Sequence, residues 1–179
     1  MSLAYTPSIL SKLRNANLLL DTCTIIDASN CDEINDFLEK LSALGCTFLS
    51  LPAVREEFTC SAKNLNDYGK LSSYINSLGI VFLNNAEKNL SANDNAAFNI
   101  ALKRCKNIHP SYVDRMLMAV PYLYRNSSEE ILLVTSNHKD IPCELFDLKE
   151  FITYSDDIFH NIGIYKFNVI AFNKITSNI

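Results

Sequence analysis

Apolar residues along the chain fall into two alternating patterns: short unbroken runs, and longer stretches in which they return every three or four positions. The unbroken runs span 17–20, 46–51, 79–83 and 131–135, each suited to a strand buried on both faces. Periodic stretches lie between them. In 32–44, Ile34, Phe37, Leu38, Leu41 and Leu44 share one helical face, and Gly45 follows as a stop. Pro52 opens another helix, and further helices are expected over 65–78, 91–106 and 111–125, the last kinked or shortened by Pro121. The segment 163–175, aromatic and β-branched, predicts a late strand.

Strands alternating with helices imply right-handed βαβ units, hence a central, mainly parallel sheet flanked by helices in a three-layer α/β/α arrangement. A length of 179 residues suits one domain. Its core is expected over about 16–141, with a C-terminal extension, 142–179, that adds a last strand. Within the extension, 142–161 shows no clear pattern. In sheets of this kind chemistry gathers beyond the carboxyl ends of the strands.

Acidic residues recur at such places. The run NLLL ends abruptly in Asp21, which reads either as a helix cap or as a carboxylate aimed off the strand. After the second strand, Val54 and Phe58 form an apolar helical pair with Glu57 on or beside their face, whereas Glu56 is rotated toward water. Asp94 and Asp114 each follow a serine by three residues, the spacing of a capping box with Ser91 or Ser111. The helix after Asp114 is apolar almost all round, so a carboxylate at its start is costly unless compensated. The run 131–135 delivers Thr135, Ser136 and Asn137 to another carboxyl end.

Composition narrows the chemistry. Lysine plus arginine total 16 against 20 acids, a net charge of −4, so charge alone does not grip nucleic acid. With 4 glycines and neither GxGxxG nor GxxxxGK[ST], nucleotide folds keyed to those loops are disfavoured. The 6 cysteines form no CxxC pair, and His109, His138 and His160 have no zinc-ligand spacing. Clustered carboxylates suit Mg²⁺ or Mn²⁺ instead, and the cation relieves their mutual repulsion. Neither a leader at the start nor an apolar run long enough to cross a membrane is evident, so a cytoplasmic protein is expected.

Taken together, LLLDTCTIID, PAVREEF, VDRMLMA and LLVTSNHKDI resemble the motifs of the PIN-domain family, metal-dependent ribonucleases that include VapC-type toxins. The resemblance implies that Asp21, Glu57 and Asp114 form the core of a Mg²⁺ or Mn²⁺ site. It makes Asn137 the fourth position, with Asp140 an alternative should its loop fold back. Asp94 corresponds to an extra acid that some members carry. Cys23 stands where the family usually has Asn or Ser, leaving Thr22 or Thr24 to supply that hydrogen bond.

The resemblance further implies RNA as substrate, a homodimer and, for a toxin, a small antitoxin partner. Candidate phosphate contacts are Arg55, Lys103, Arg104, Lys106, Arg115 and Lys139. A catalytically inactive PIN domain that binds RNA or protein is the alternative. A haloacid-dehalogenase phosphatase is disfavoured, because it expects a second Asp at the position of Cys23.

Overall fold

The first strand, β1 (Asn17–Leu20), lies inside a six-stranded sheet with Leu18, Leu19 and Leu20 completely buried. Each such leucine contributes roughly 1.5–3 kcal/mol through burial. The computed structural model describes residues 7–86, 89, 91–106, 108–155 and 159–177. Ahead of β1 runs α1 (Pro7–Lys12). After it come α2 (Thr22–Asn30), α3 (Asp32–Ala43), β2 (Thr47–Ser50), α4 (Pro52–Cys60), α5 (Leu65–Ser77) and β3 (Val81–Phe82). Then follow α6 (Ala92–Arg104), α7 (Tyr112–Leu123) and β4 (Ile131–Thr135). A hairpin, β5 (Phe146–Ser155) and β6 (Phe159–Phe167), and a last helix, α8 (Val169–Thr176), complete the described chain.

The strand order is β3-β2-β1-β4-β6-β5. The first four strands in that order are parallel, and β6 and β5 are antiparallel. The expected mainly parallel three-layer α/β arrangement is therefore present. Because β6 pairs with β4, core and extension share one sheet and form a single domain. Gly45 ends the α3 turn at φ +81°, a conformation that strains other residues, and a Cβ there would lie 2.5 Å from Asn15 Oδ1.

From β1 the chain winds outward to β2 and β3, then returns to place β4 on the other side of β1. Right-handed crossovers in opposite directions put successive helices on opposite faces. Accordingly α2, α3, α4 and α5 touch one another, while α6 touches α8 and α7 lies on β4 and β6. The reversal between β1 and β4 is a topological switch point, where the carboxyl ends of the two strands open a crevice. Asp21 and Thr135 stand on its two sides.

The extension departs from the single late strand expected. Two strands are present, and the second half of 163–175 is helical. A register shift between Leu148 and Glu150 breaks the alternation that would have revealed β5. In α8, Val169 and Ile170 look strand-like, but Asn168 caps the helix by accepting from Ala171 N–H at 2.9 Å. Phe172 packs 4.8 Å from the Tyr122 ring, which also stacks on Phe98 at 5.2 Å and meets Phe167 edge-on at 5.6 Å. Tyr122 thus joins α6, α7, β6 and α8. Helix α7 continues through Pro121 but ends at Leu123, two residues short of the expected boundary.

Candidate functional site

Asp21 follows β1 directly and is 5% exposed. It caps α2, with Oδ1 accepting from Cys23 N–H at 2.5 Å, so the cap reading of this residue is correct. The cap does not exhaust the carboxylate. Oδ2 reaches across the switch point and accepts the Thr135 hydroxyl of β4. A carboxylate has about four acceptor positions, so these two donors orient it while leaving capacity for a ligand.

Burial raises the Asp21 carboxyl above its usual pKa, hydrogen bonds from Cys23 and Thr135 oppose that rise, and the charge of Asp114 adds to it. Asp114 therefore lies within electrostatic reach of Asp21. It opens α7 in a complete capping box, with Ser111 N–H donating to Oδ2 at 2.8 Å and Ser111 Oγ accepting from Asp114 N–H at 3.1 Å. Capping and proximity to a buried acid coexist at this residue.

Glu57 requires a correction. Val54 and Phe58 are buried as expected, but Glu57 and Glu56 are both exposed, so Glu57 is not forced into the apolar stripe. The nine-residue α4 leaves that flank open to water. What distinguishes Glu57 is a bond from Thr22 Oγ1 to its Oε2 at 2.5 Å, which ties it to the residue after Asp21. Among the described residues Glu56 makes no corresponding side-chain bond.

After β4, Asn137 N–H donates to Thr135 Oγ1 at 2.9 Å, and Asn137 Nδ2 donates to Asp140 Oδ2 at 2.7 Å. Asp140 belongs to a short 3₁₀ turn, His138–Asp140, and is held against Asn137 rather than replacing it. His138 turns away, with Nδ1 2.8 Å from the Tyr165 hydroxyl.

Asp94 is not brought to this group. Its carboxylate accepts from Ser91 Oγ at 2.7 Å, from the Tyr122 hydroxyl at 2.9 Å and from Arg125 at 3.1 Å. Those bonds, led by Ser91, hold its pKa below the usual carboxylate value. Tyr122 lies eight residues beyond Asp114 on α7, about 12 Å along the axis. Asp94 is therefore satisfied at the opposite end of the helix, where a ligand role has no partners.

Cys23 lies against the end of β4, with Sγ 3.5 Å from Thr135 Oγ1. Burial first, and then the charge of Asp21, push its thiol up to about 12, so it remains protonated near neutrality. Thr24 bonds Val134 O at 3.1 Å, which leaves Thr22 as the hydroxyl that serves the acids. Of the candidate cations, Arg55 lies over the Phe82 ring at 5.5 Å and Arg104 donates to Ile175 O at 2.5 Å. Both have structural employment.

Among the described residues, no three His, Cys, Asp or Glu side chains already stand together as a ligand set. The donor types near the crevice are carboxylate and amide oxygens, whose chemistry suits Mg²⁺ or Mn²⁺ and not zinc. A buried, hydrogen-bonded carboxylate within electrostatic reach of a second acid is the feature that a cation would relieve. Thr135 and Thr22 carry more of this geometry than the motifs suggested. Their signal was position, since one ends a buried strand and the other follows the acid.

No family model matches the chain, and neither a curated protein nor a solved structure matches it. Among the described residues no helix is long and apolar enough to cross a membrane.

Proposed function

We propose that this protein is a Mg²⁺- or Mn²⁺-dependent endoribonuclease of PIN-domain type. The observation that carries the reading is Asp21, a buried carboxylate at the switch point, oriented by Cys23 N–H and gripped by the Thr135 hydroxyl. Asp21 and Asp114 would hold the ion, with Glu57 on the same rim through Thr22. When bound, the ion supplies a water of lowered pKa and offsets charge developing on the phosphodiester.

The chain's own groups orient and position. Thr135 and Cys23 N–H fix both oxygens of Asp21, so the carboxylate needs little reorganisation to bind. Glu57, exposed and restrained by one hydrogen bond from Thr22, would accept a proton from an attacking water or complete the ligand shell. Asn137 is locked by Asp140 and Thr135, which positions its amide beside the crevice. The PIN-type resemblance extends the proposal to a cytoplasmic protein that pairs with a second copy and, for a VapC-type toxin, to a small antitoxin.

The second reading, an inactive PIN domain that binds RNA or protein, is favoured by the open arrangement of the acids and by Cys23 at the inner position. Incubation of the purified protein with RNA and Mn²⁺ separates the two. Cleavage that is lost in Asp21→Asn supports the nuclease, and RNA binding without cleavage supports the module.

A further inference from the structure

One row of residues crosses the sheet from Asp21 to its edge. Thr135 of β4 pairs with Gly163 of β6, and Gly163 pairs with Phe151 of β5, the last strand in the order. Asp21 extends the row on the other side, since Leu20 pairs with Val134 and Asp21 N–H donates to Val134 O at 3.2 Å. Residues paired directly project to the same face of a sheet, so Asp21, Thr135 and Phe151 share one face. At about 4.8 Å per strand, Phe151 lies about 10 Å from Thr135.

That face is the one α7 covers. Tyr122, near the end of α7, meets Phe167 of β6, which projects to the same side as Gly163, four positions away. Helix α7 leads through a short turn into β4 and packs on it, so the two run in opposite directions. From Tyr122 back to Asp114 is about 12 Å of helix, and from Phe167 back to Gly163 about 13 Å of strand, which brings Asp114 level with the row.

Gly163 makes room for what stands between Thr135 and Phe151. A Cβ there would come within 2.9 Å of His138 Cε1 and 2.5 Å of a Tyr165 ring carbon. His138 is fixed at both nitrogens, with Nδ1 2.8 Å from the Tyr165 hydroxyl and Nε2 3.2 Å from Asn161 O. Its ring lies 5.0 Å from that of Phe151 at a tilt of 45°, a contact that holds the phenyl ring from one side. The remainder is open, for Phe151 is 48% exposed. The register shift between Leu148 and Glu150 brings Leu148, 51% exposed, to the same face as Phe151 although three positions separate them.

Two exposed apolar side chains fall far short of the roughly 800 Å² that each partner contributes to a stable protein interface. They do suit a flat ring, and Lys139, exposed on the same 3₁₀ turn as His138, brings positive charge beside it. We propose that this ledge seats one unpaired nucleobase of single-stranded RNA close to the cleaved phosphate, with Phe151 stacking on the base and Lys139 meeting its phosphate. The proposal rests on the ribonuclease reading for its substrate. It also gives a chain of net charge −4 a way to hold RNA, since stacking supplies affinity that charge does not. Bases in a duplex are stacked on one another and cannot lie on the ring.

The chain contains no tryptophan, so Phe151→Trp places a single indole on the ledge and keeps a stacking surface there. In the presence of a chelator, so that no cleavage is needed, a single-stranded RNA oligonucleotide should quench its fluorescence and a duplex should not. The same RNA should leave Ile170→Trp unchanged, because exposed Ile170 follows β6 at the opposite end of the sheet. By anisotropy of labelled RNA, Phe151→Ala should bind about tenfold more weakly than wild type. No quenching in Phe151→Trp, equal quenching in Ile170→Trp or by duplex, or undiminished binding by Phe151→Ala would each overturn the ledge. So would a Phe151→Ala variant that splits a dimer in sedimentation while binding RNA as before, which would make the ledge a contact with a second copy. Mn²⁺-dependent cleavage is scored separately. A protein that cleaves but ignores Phe151 refutes the ledge alone, and one that binds through Phe151 but never cleaves refutes the nuclease reading alone.

Discussion

The Thr135 hydroxyl donates to Asp21 Oδ2 while accepting from Asn137 N–H at 2.9 Å, so one side chain on β4 fixes both the buried acid and the turn beside it. Loss of that hydroxyl removes a donor that favours the charged carboxylate and leaves Asn137 N–H without its partner. Thr135→Val is expected to weaken Mn²⁺ binding about 10–100-fold and to move the acid limb of cleavage to higher pH, whereas Thr135→Ser preserves both. A thermal-shift titration with Mn²⁺ and a pH-rate profile check this. An unchanged Mn²⁺ midpoint in Thr135→Val would remove Thr135 from the site.

Glu57 and its neighbour differ by one hydrogen bond rather than by burial. Glu57→Gln should abolish metal-dependent cleavage and Glu56→Gln should leave it nearly intact, as read by the rate of RNA hydrolysis in Mn²⁺. Equal losses would show that the contact with Thr22 does not select Glu57.

Asp114→Asn keeps an oxygen for Ser111 N–H but removes a charge that both favours the helix start and repels Asp21. These effects oppose each other at about 0.3–1 kcal/mol, so the melting temperature without metal should change by less than about 2 °C. Stabilisation by Mn²⁺ and cleavage should both be lost. A variant that still responds fully to Mn²⁺ would reduce Asp114 to a cap.

Asp94 should behave in the opposite way. Its folded-state pKa is lowered, so its contribution is present above the ordinary value of 3.8 and is lost as pH falls through the folded value. The Arg125 pair is partly exposed, with side-chain exposures of 23% and 32%, which limits its worth to about 1 kcal/mol. Asp94→Asn should therefore melt about 2–4 °C lower at pH 7, with the gap closing in acid, and should cleave like wild type. Loss of cleavage without loss of stability would return Asp94 to the metal site.

The sheet core was legible because β1, β2 and β4 are buried on both faces and read as unbroken apolar runs. Strand β5 was not, since its bulge hides the period, and α8 was not, since its cap at Asn168 outweighs two β-branched residues. For the proposed site, strand ends and helix starts pointed to Asp21 and Asp114, and the structure puts the first at the end of β1 and the second at the start of α7. Glu57 was singled out by apolar phase, which the structure does not support, and apolar phase cannot reveal its bond to Thr22. Asp94 shares the serine spacing of Asp114, and only tertiary packing against Tyr122 and Arg125 tells them apart.

The most direct measurement follows melting temperature and RNA cleavage in the same samples as Mn²⁺ is added to wild type and to Asp21→Asn. A buried carboxylate raised by burial and by Asp114 should be relieved by the cation, so wild type should gain several degrees at saturation and begin to cleave, while Asp21→Asn does neither. Wild-type protein that neither gains stability nor cleaves RNA at saturating Mn²⁺ would contradict the metal-dependent nuclease.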